Sequence, residues 1–500
     1  VWSVIDYNHT TTTRPPRLFV CETAFPADDR SLGFERGSSA SPQWQRATML
    51  AASRAASEIV DRLPLLAGLD DEAGDAETKT DSADRLDRVH AFALEFAETA
   101  FRQPLRPHER EVVLGLVGSD DAAIESGVRR AVTLILMSPK FLYADLTPTG
   151  EQPSPFAVAS RLSLSLWDSI PDRELYDAAM KGELDTEERV RAHARRMLRD
   201  ERTKAKIRRF FRTWLELEDR DLAKDKQLFP QFDEAVIADL RRSLVLFIDD
   251  VVWSRESDYR QLLLADYLML NPRLRSLYSV DTEDPVKPNN GSEIKRRANR
   301  RQFASAFQPV DFPADRRSGV LTHPYLLSAY AYHNNSSPIH RGVFLTRNIV
   351  GRALSPPPMA IAFKDDDFSP DLTMREKVTQ LTRDAACMSC HSVINPLGFA
   401  LENFDAVGRW RETDRDKPVD SKSDYTTESG ETVKLASARD IADYAAKSES
   451  AHHAFVSHVF ENAVKQSPQD FAPNAVDDLS EQFRDDKFNI QKLWARVASV

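Results

Sequence analysis

Cys387-Met388-Ser389-Cys390-His391 places two thiols and an imidazole within about one helical turn. Cysteines separated by two residues and followed at once by histidine have the spacing of a c-type haem attachment site. The chemistry explains the spacing. Two thiols must reach the two vinyl groups of one porphyrin to form thioethers, and the adjacent imidazole must sit beneath the iron as proximal ligand. Three other readings of the same residues stay open. A redox C-x-x-C would want a βαβ context, and none is apparent nearby. A structural zinc site needs four ligands, and no second C-x-x-C or H-x-x-x-H pair completes this one. The cysteines could also form a plain disulfide with a chance histidine after it.

The 500-residue chain is longer than the ~250–300 residues at which single cores stop growing, so two to four units are expected. Hydrophobic residues at 41% and charged residues at 29% suit a soluble globular protein. No apolar run approaches the ~18–20 residues of a membrane span. A net charge of −11 argues against nucleic acid, and against an anionic membrane surface, as a partner. With Cys387 and Cys390 on haem, Cys21 is left free or paired with another chain. Val1 opens the chain without an initiator methionine or a signal-like segment, which reads as a processed or partial chain. Thioether attachment takes place outside the cytoplasm in bacteria, so the haem reading implies a periplasmic or exported protein.

Residues 1–83 are weakly patterned, with an extended stretch around Leu18-Phe19-Val20-Cys21, a helix from about Gln43 to Leu63, and an acidic linker from Leu69 to Asp84. From 84 to 150 the pattern turns helical: Leu86, Val89, Phe92, Phe96 and Ala100 recur at helical spacing, and Pro104 and Pro107 punctuate the next start. A second helical module covers 155–283, with Asp233 as cap of a long helix reaching Trp253. The segment 315–415 carries the haem motif, His323, His333 and His340, and the rigid run Pro356-Pro357-Pro358. A connector then leads to a last helical module, 435–500. The expected fold is mainly all-α, with strands short and confined to about 15–25 and 417–436.

Gly319-Val320-Leu321-Thr322, Ser336-Ser337-Pro338-Ile339-His340-Arg341-Gly342 and the triple proline resemble the planctomycete cytochrome c-like multidomain proteins. So does the haem motif with Asn395-Pro396-Leu397-Gly398-Phe399-Ala400-Leu401-Glu402-Asn403-Phe404-Asp405. Residues 85–145, 155–283, 315–415 and 435–500 are similar to four successive modules of that family, most of them domains of unknown function. The resemblance implies export and one covalently attached haem c, and supplies no established reaction. Attachment fixes the porphyrin within a few ångströms of Cys390, so the module around the motif should pack on the haem. His333 and His340 are then candidates for iron or the distal pocket, ahead of His452, His453 and His458, which read as histidines of a last-module helix, the first two on its surface. No methionine follows Met388, which counts against a simple His/Met cytochrome, and Met359 and Met374 remain upstream. Arg341, Arg409 and Arg411 are the nearest cations for the propionates, and ion pairs with Glu402, Asp405 or Glu412 are their ordinary alternative. The haem is expected between 387–411 and 319–359, with Pro356–Pro358 as one wall. The leading reading is electron transfer with a periplasmic redox partner or larger complex. A haem enzyme with an open distal site, acting on peroxide, oxygen or an organic substrate, and a structural subunit stapled by haem are the alternatives.

Overall fold

The computed structural model describes residues 25–26, 41–69, 82–143, 152–218, 220–278, 307–354, 363–468 and 474–500. Two compact units divide the chain: Val1–Lys206 with Asn462–Lys465 and Ala495–Val500, and Ile207–Glu461 with Gln466–Trp494.

In the first unit the helices begin where short polar side chains cap them. Ser41 accepts the Trp44 N–H at the start of α1 (Pro42–Val60), whose buried face is Ala52, Ala55, Ala56 and Ile59. Helices α2 (Ser82–Phe101), α3 (Pro107–Val117) and α4 (Ile124–Met137) pack with it around Phe96, Val113, Val128, Val132 and Ile135. Small residues on α1 let α4 approach closely, so the interface is made of alanine against branched aliphatics. Then come α5 (Pro155–Trp167), α6 (Arg173–Met180) and α7 (Glu187–Met197). Here the Trp167 indole N–H donates to Met197 O while the Arg202 guanidinium lies 3.6 Å from its ring centroid.

In the second unit Asp233 accepts the Val236 N–H and opens α8 (Glu234–Val252), which buries Val236, Leu240, Leu244, Phe247, Ile248 and Val251. Against it lies an antiparallel pair, β1 (Tyr267–Leu270) and β2 (Gln308–Asp311), in register Tyr267↔Asp311 through Leu270↔Gln308. Further elements are α9 (Pro324–Ala329), α10 (Pro338–Phe344), α11 (Met374–Leu381), α12 (Ala385–Phe399), the hairpins β3 (Thr413–Asp414) with β4 (Lys417–Pro418) and β5 (Ser423–Thr426) with β6 (Thr432–Leu435), then α13 (Ala438–Ala445), α14 (Glu449–Val464), α15 (Ala475–Asp485) and α16 (Ile490–Ala498), the last residues of α14 and α16 being assigned to the first unit. Phe210, Trp214, Tyr259, Phe455 and Phe483 form the aromatic core of this unit, with ring centroids 4.2–6.4 Å apart in the closest pairs.

The helical expectation holds across the described residues, and the strands form three separate two-stranded antiparallel sheets. One expectation is corrected. The β1–β2 pair lies outside 417–436, because Tyr267-Leu268-Met269-Leu270 is a four-residue apolar run that reads equally as a helix end, and its partners are 38 to 44 positions away, from Leu270↔Gln308 to Tyr267↔Asp311. The expected stretch 15–25 and Cys21 lie outside the described residues apart from Phe25, which is not in a strand.

His323 ties this unit together and makes it acid-sensitive. The Tyr325 N–H donates to its Nδ1 (3.2 Å), so Nε2 carries the hydrogen and donates to Ser243 Oγ (3.2 Å), whose hydroxyl donates to Met269 O (2.5 Å). Burial, reinforced by Arg317, pushes its pKa down to about 3. An unfolded chain takes up this proton near pH 6.5 and the folded chain does not, so stability falls as pH drops from about 6.5 toward 3, by up to ~1.4 kcal/mol per unit. Urea unfolding of the parent and of His323→Gln at pH 7.5 and pH 5 checks this. The variant is expected to show the shallower pH slope, and equal slopes would contradict it.

Candidate haem-attachment site

Helix α12 is buried along one half and open along the other. Val393, Ile394, Asn395, Leu397, Gly398 and Phe399 are buried, whereas Ala385, Ala386, Met388 and Ser389 are exposed. The buried half is held by α10. A Cβ added at Gly398 would lie 2.0 Å from Pro338 O, and one at Gly342 would lie 2.2 Å from Ile394 O. The two helices therefore cross backbone to backbone through a reciprocal pair of glycines. Pro396 sits inside the helix, where its ring removes one backbone donor, and its own carbonyl accepts the Ser423 hydroxyl of β5 at 2.8 Å. Helix α11 packs on the same end through Met374, Val378 and Phe399.

The open half carries the motif. Cys387 and Cys390 are half-buried free thiols, four and one residues before His391. Residues four apart share a helix face, so Cys387, His391 and Asn395 lie in one row. His391 Nδ1 is 2.9 Å from Asn395 Oδ1, the Asn395 amide donates to Thr382 Oγ1 at 2.9 Å, and the Thr382 hydroxyl donates to Val378 O at 2.8 Å. Asn395 and Thr382 had no assigned role in the sequence. The signal for Asn395 was its spacing from His391, and Thr382 comes from the preceding helix, which spacing alone does not bring near.

These residues fit a covalently held haem in three respects. The thiols are unbonded to each other, they occupy an accessible turn, and the histidine is oriented through one ring nitrogen so that the other is left for a metal. Among the described residues no group of three or more His, Cys, Asp or Glu could hold a bare metal ion.

The arginines are engaged elsewhere. Arg341 is 1% exposed, and its guanidinium donates to Leu401 O (3.1 Å), Phe404 O (2.8 Å), Asp405 O (2.8 Å) and Leu327 O (3.4 Å). Burial pulls its pKa down to about 10. Arg409 pairs with Asp405 at 2.8 Å, and Arg411 with Glu402 and Asp414, each at 3.0 Å. Pairing with Glu402 and Asp405 was the ordinary alternative for these residues, and it is the arrangement formed. Glu412 faces Arg316 instead, at 3.8 Å.

The histidines are dispersed. His333 is exposed beside Asp221 (3.3 Å), and its carbonyl accepts the Asp225 N–H, so its partners belong to the 221–225 segment and not to α12. His340 lies on α10, the helix crossed by α12, with its ring 5.3 Å from Tyr332, and burial lowers its pKa. His452, read as a surface residue, is buried: its Nε2 bonds Ala446 O and its ring packs against Phe488 at 4.4 Å. Its amphipathic ring fits an aromatic core as readily as a surface. His453 meets Asp477, and His458 lies 3.8 Å from Glu461. Met374 is buried against Val378 and Phe399, while Pro356–Pro358 and Met359 lie outside the described residues.

Fold and site together define a mainly helical protein that presents a C-x-x-C-H turn at the open end of a helix anchored by its other end. Three family models match it. Residues 88–145 match PSD5, a protein of unknown function (DUF1595), residues 154–280 match PSD4, a protein of unknown function (DUF1592), and residues 317–414, which include the motif, match PSCyt3, a protein of unknown function (DUF1588). No curated protein and no solved structure matches the chain.

Proposed function

We propose that the protein is an exported monohaem c-type cytochrome-like protein that transfers electrons within a periplasmic or cell-surface assembly. The observation that carries the proposal is Cys387, Cys390 and His391 on one accessible helical turn, with both thiols free and the imidazole anchored through Nδ1 to Asn395. Cys387 and Cys390 would hold the group by thioethers, and His391 would be the axial ligand. Once bound, the haem supplies a one-electron iron couple. The protein's own part is to fix the ligand's orientation through Asn395 and to hold the attachment helix rigid through its crossing with α10. The cytochrome-like syllable in the name of the matching PSCyt3 model points the same way. No helix among the described residues is long and apolar enough to cross a membrane.

A haem enzyme with an open distal site is the second reading. It draws support from His333 and Met374, two candidate sixth ligands that are engaged with Asp221 and with an apolar cluster. Denaturing electrophoresis with haem staining tests the proposal, using chain secreted from a host competent for haem attachment. A stained band is expected, reduced in Cys387→Ala and Cys390→Ala and lost in the double variant. A colourless parent band overturns it. Six-coordinate low-spin spectra then support electron transfer, and five-coordinate high-spin spectra the enzyme.

A further inference from the structure

The direction of every hydrogen bond behind His391 follows from the group at the far end. Val378 O is a backbone carbonyl and can only accept, so the Thr382 hydroxyl donates to it (2.8 Å). The Thr382 oxygen is then free to accept, and it accepts from the Asn395 amide nitrogen (2.9 Å). That fixes which way round the amide lies, with Oδ1 toward His391 (2.9 Å). An amide oxygen can only accept, so the hydrogen of the His391 ring is on Nδ1 and Nε2 carries the lone pair. Asn395 and Thr382 are 6% and 3% exposed, so water competes poorly for any of these groups.

We propose that Asn395 and Thr382 are positioning residues that set the tautomer and donor strength of His391, and through it the reduction potential of the iron it would bind. The inference rests on the haem reading for its potential, while the tautomer stands on this chain alone. A metal-bound imidazole becomes a stronger donor as its other N–H is held by a stronger acceptor, and a stronger donor favours the ferric state. A neutral amide is a moderate acceptor. The relay ends on a backbone carbonyl and contains no ionisable group beyond the imidazole itself. Its geometry also depends on two helices, because Thr382 follows α11 and Asn395 lies on α12, so the packing of Val378 against Phe399 sets the ring's orientation.

Two measurements test this. In haem-loaded chain, redox titration should place Asn395→Asp below the parent potential, since a carboxylate pulls harder on the Nδ1 hydrogen, and Asn395→Leu above it. Thr382→Val, which frees the amide to turn over, should move toward Asn395→Leu, and Thr382→Ser should restore the parent value. Haem content should stay level, because the thioethers do not involve these residues. Variants that all share the parent potential overturn the inference with the haem reading intact. If the chain attaches no haem, that reading fails and the second measurement decides: long-range proton–nitrogen correlation spectra of histidine-labelled, haem-free chain should show His391 hydrogenated on Nδ1 in the parent and mixed in Asn395→Leu. A hydrogen on Nε2 in the parent overturns the inference.

Discussion

Replacing Arg341 by methionine is expected to destabilise the second unit by about 3–5 kcal/mol, among the largest effects of any single side chain in the molecule. Arg341 is 1% exposed and its donors reach four backbone carbonyls, of Leu327, Leu401, Phe404 and Asp405. Three of those carbonyls belong to the turn that leaves α12, where Leu401 O and Asp405 O also accept the N–H groups of Phe404 and Gly408. Methionine fills much of the volume and donates to none of them, so Leu401 O and Asp405 O keep one donor each while Phe404 O loses its guanidinium donor, and a buried carbonyl left without any donor costs about 1–3 kcal/mol. Glu402, whose Oε1 lies 3.8 Å from Arg341, keeps only Arg411 and Ser336. Lysine preserves the charge but not the planar fork, and is expected to recover less than half of the loss. Urea unfolding followed by tryptophan fluorescence measures both variants. A loss below ~1 kcal/mol in Arg341→Met would mean that the carbonyl network is dispensable.

The second large effect is expected at the crossing of α10 and α12. Gly398→Ala puts a methyl group 2.0 Å from Pro338 O, and Gly342→Ala puts one 2.2 Å from Ile394 O. Both obstacles are backbone, so neither can swing aside as a side chain would, and the helices must separate along their contact. Overpacking of this kind costs ~1–3 kcal/mol where side chains can yield, and more is expected here. Gly115→Ala is the control: nothing lies within 4 Å of its added Cβ, and within α3 it should be neutral or stabilising by up to ~1 kcal/mol. Thermal unfolding of the three variants is the measurement. Melting temperatures of Gly342→Ala and Gly398→Ala within a degree of the parent would show that the crossing is looser than the backbone distances imply.

Helices were legible because their signals are local. Asp233 before an apolar stripe, Pro107 at a first turn and Ser138-Pro139 after a last one each announce a boundary without reference to the rest of the chain. The β1–β2 pair was not legible, since four apolar residues have no decisive period and their partner is remote in sequence. The attachment triad could be read from spacing alone. Its support could be read only in part: Asn395 shares a helical row with His391, but Thr382 reaches it only after α11 packs on α12. Arginines were the hardest case. Sequence placed Arg341, Arg409 and Arg411 beside both an anionic cofactor edge and a set of carboxylates, and only burial distinguishes a clamp such as Arg341 from a cation with a free face.

The unequal burial of α12 makes it a cantilever. Its root, from Val393 to Phe399, is wedged against α10 by two glycines and pinned at Pro396 O by Ser423, while its tip carries the thiols beyond the packed region. A load applied at the tip, whether a bulky group bonded to sulfur or a partner pressing on Met388, bends a short overhang and leaves the joint undisturbed. Chemistry at the cysteines and integrity of the fold are thereby mechanically separated along fifteen residues of one helix.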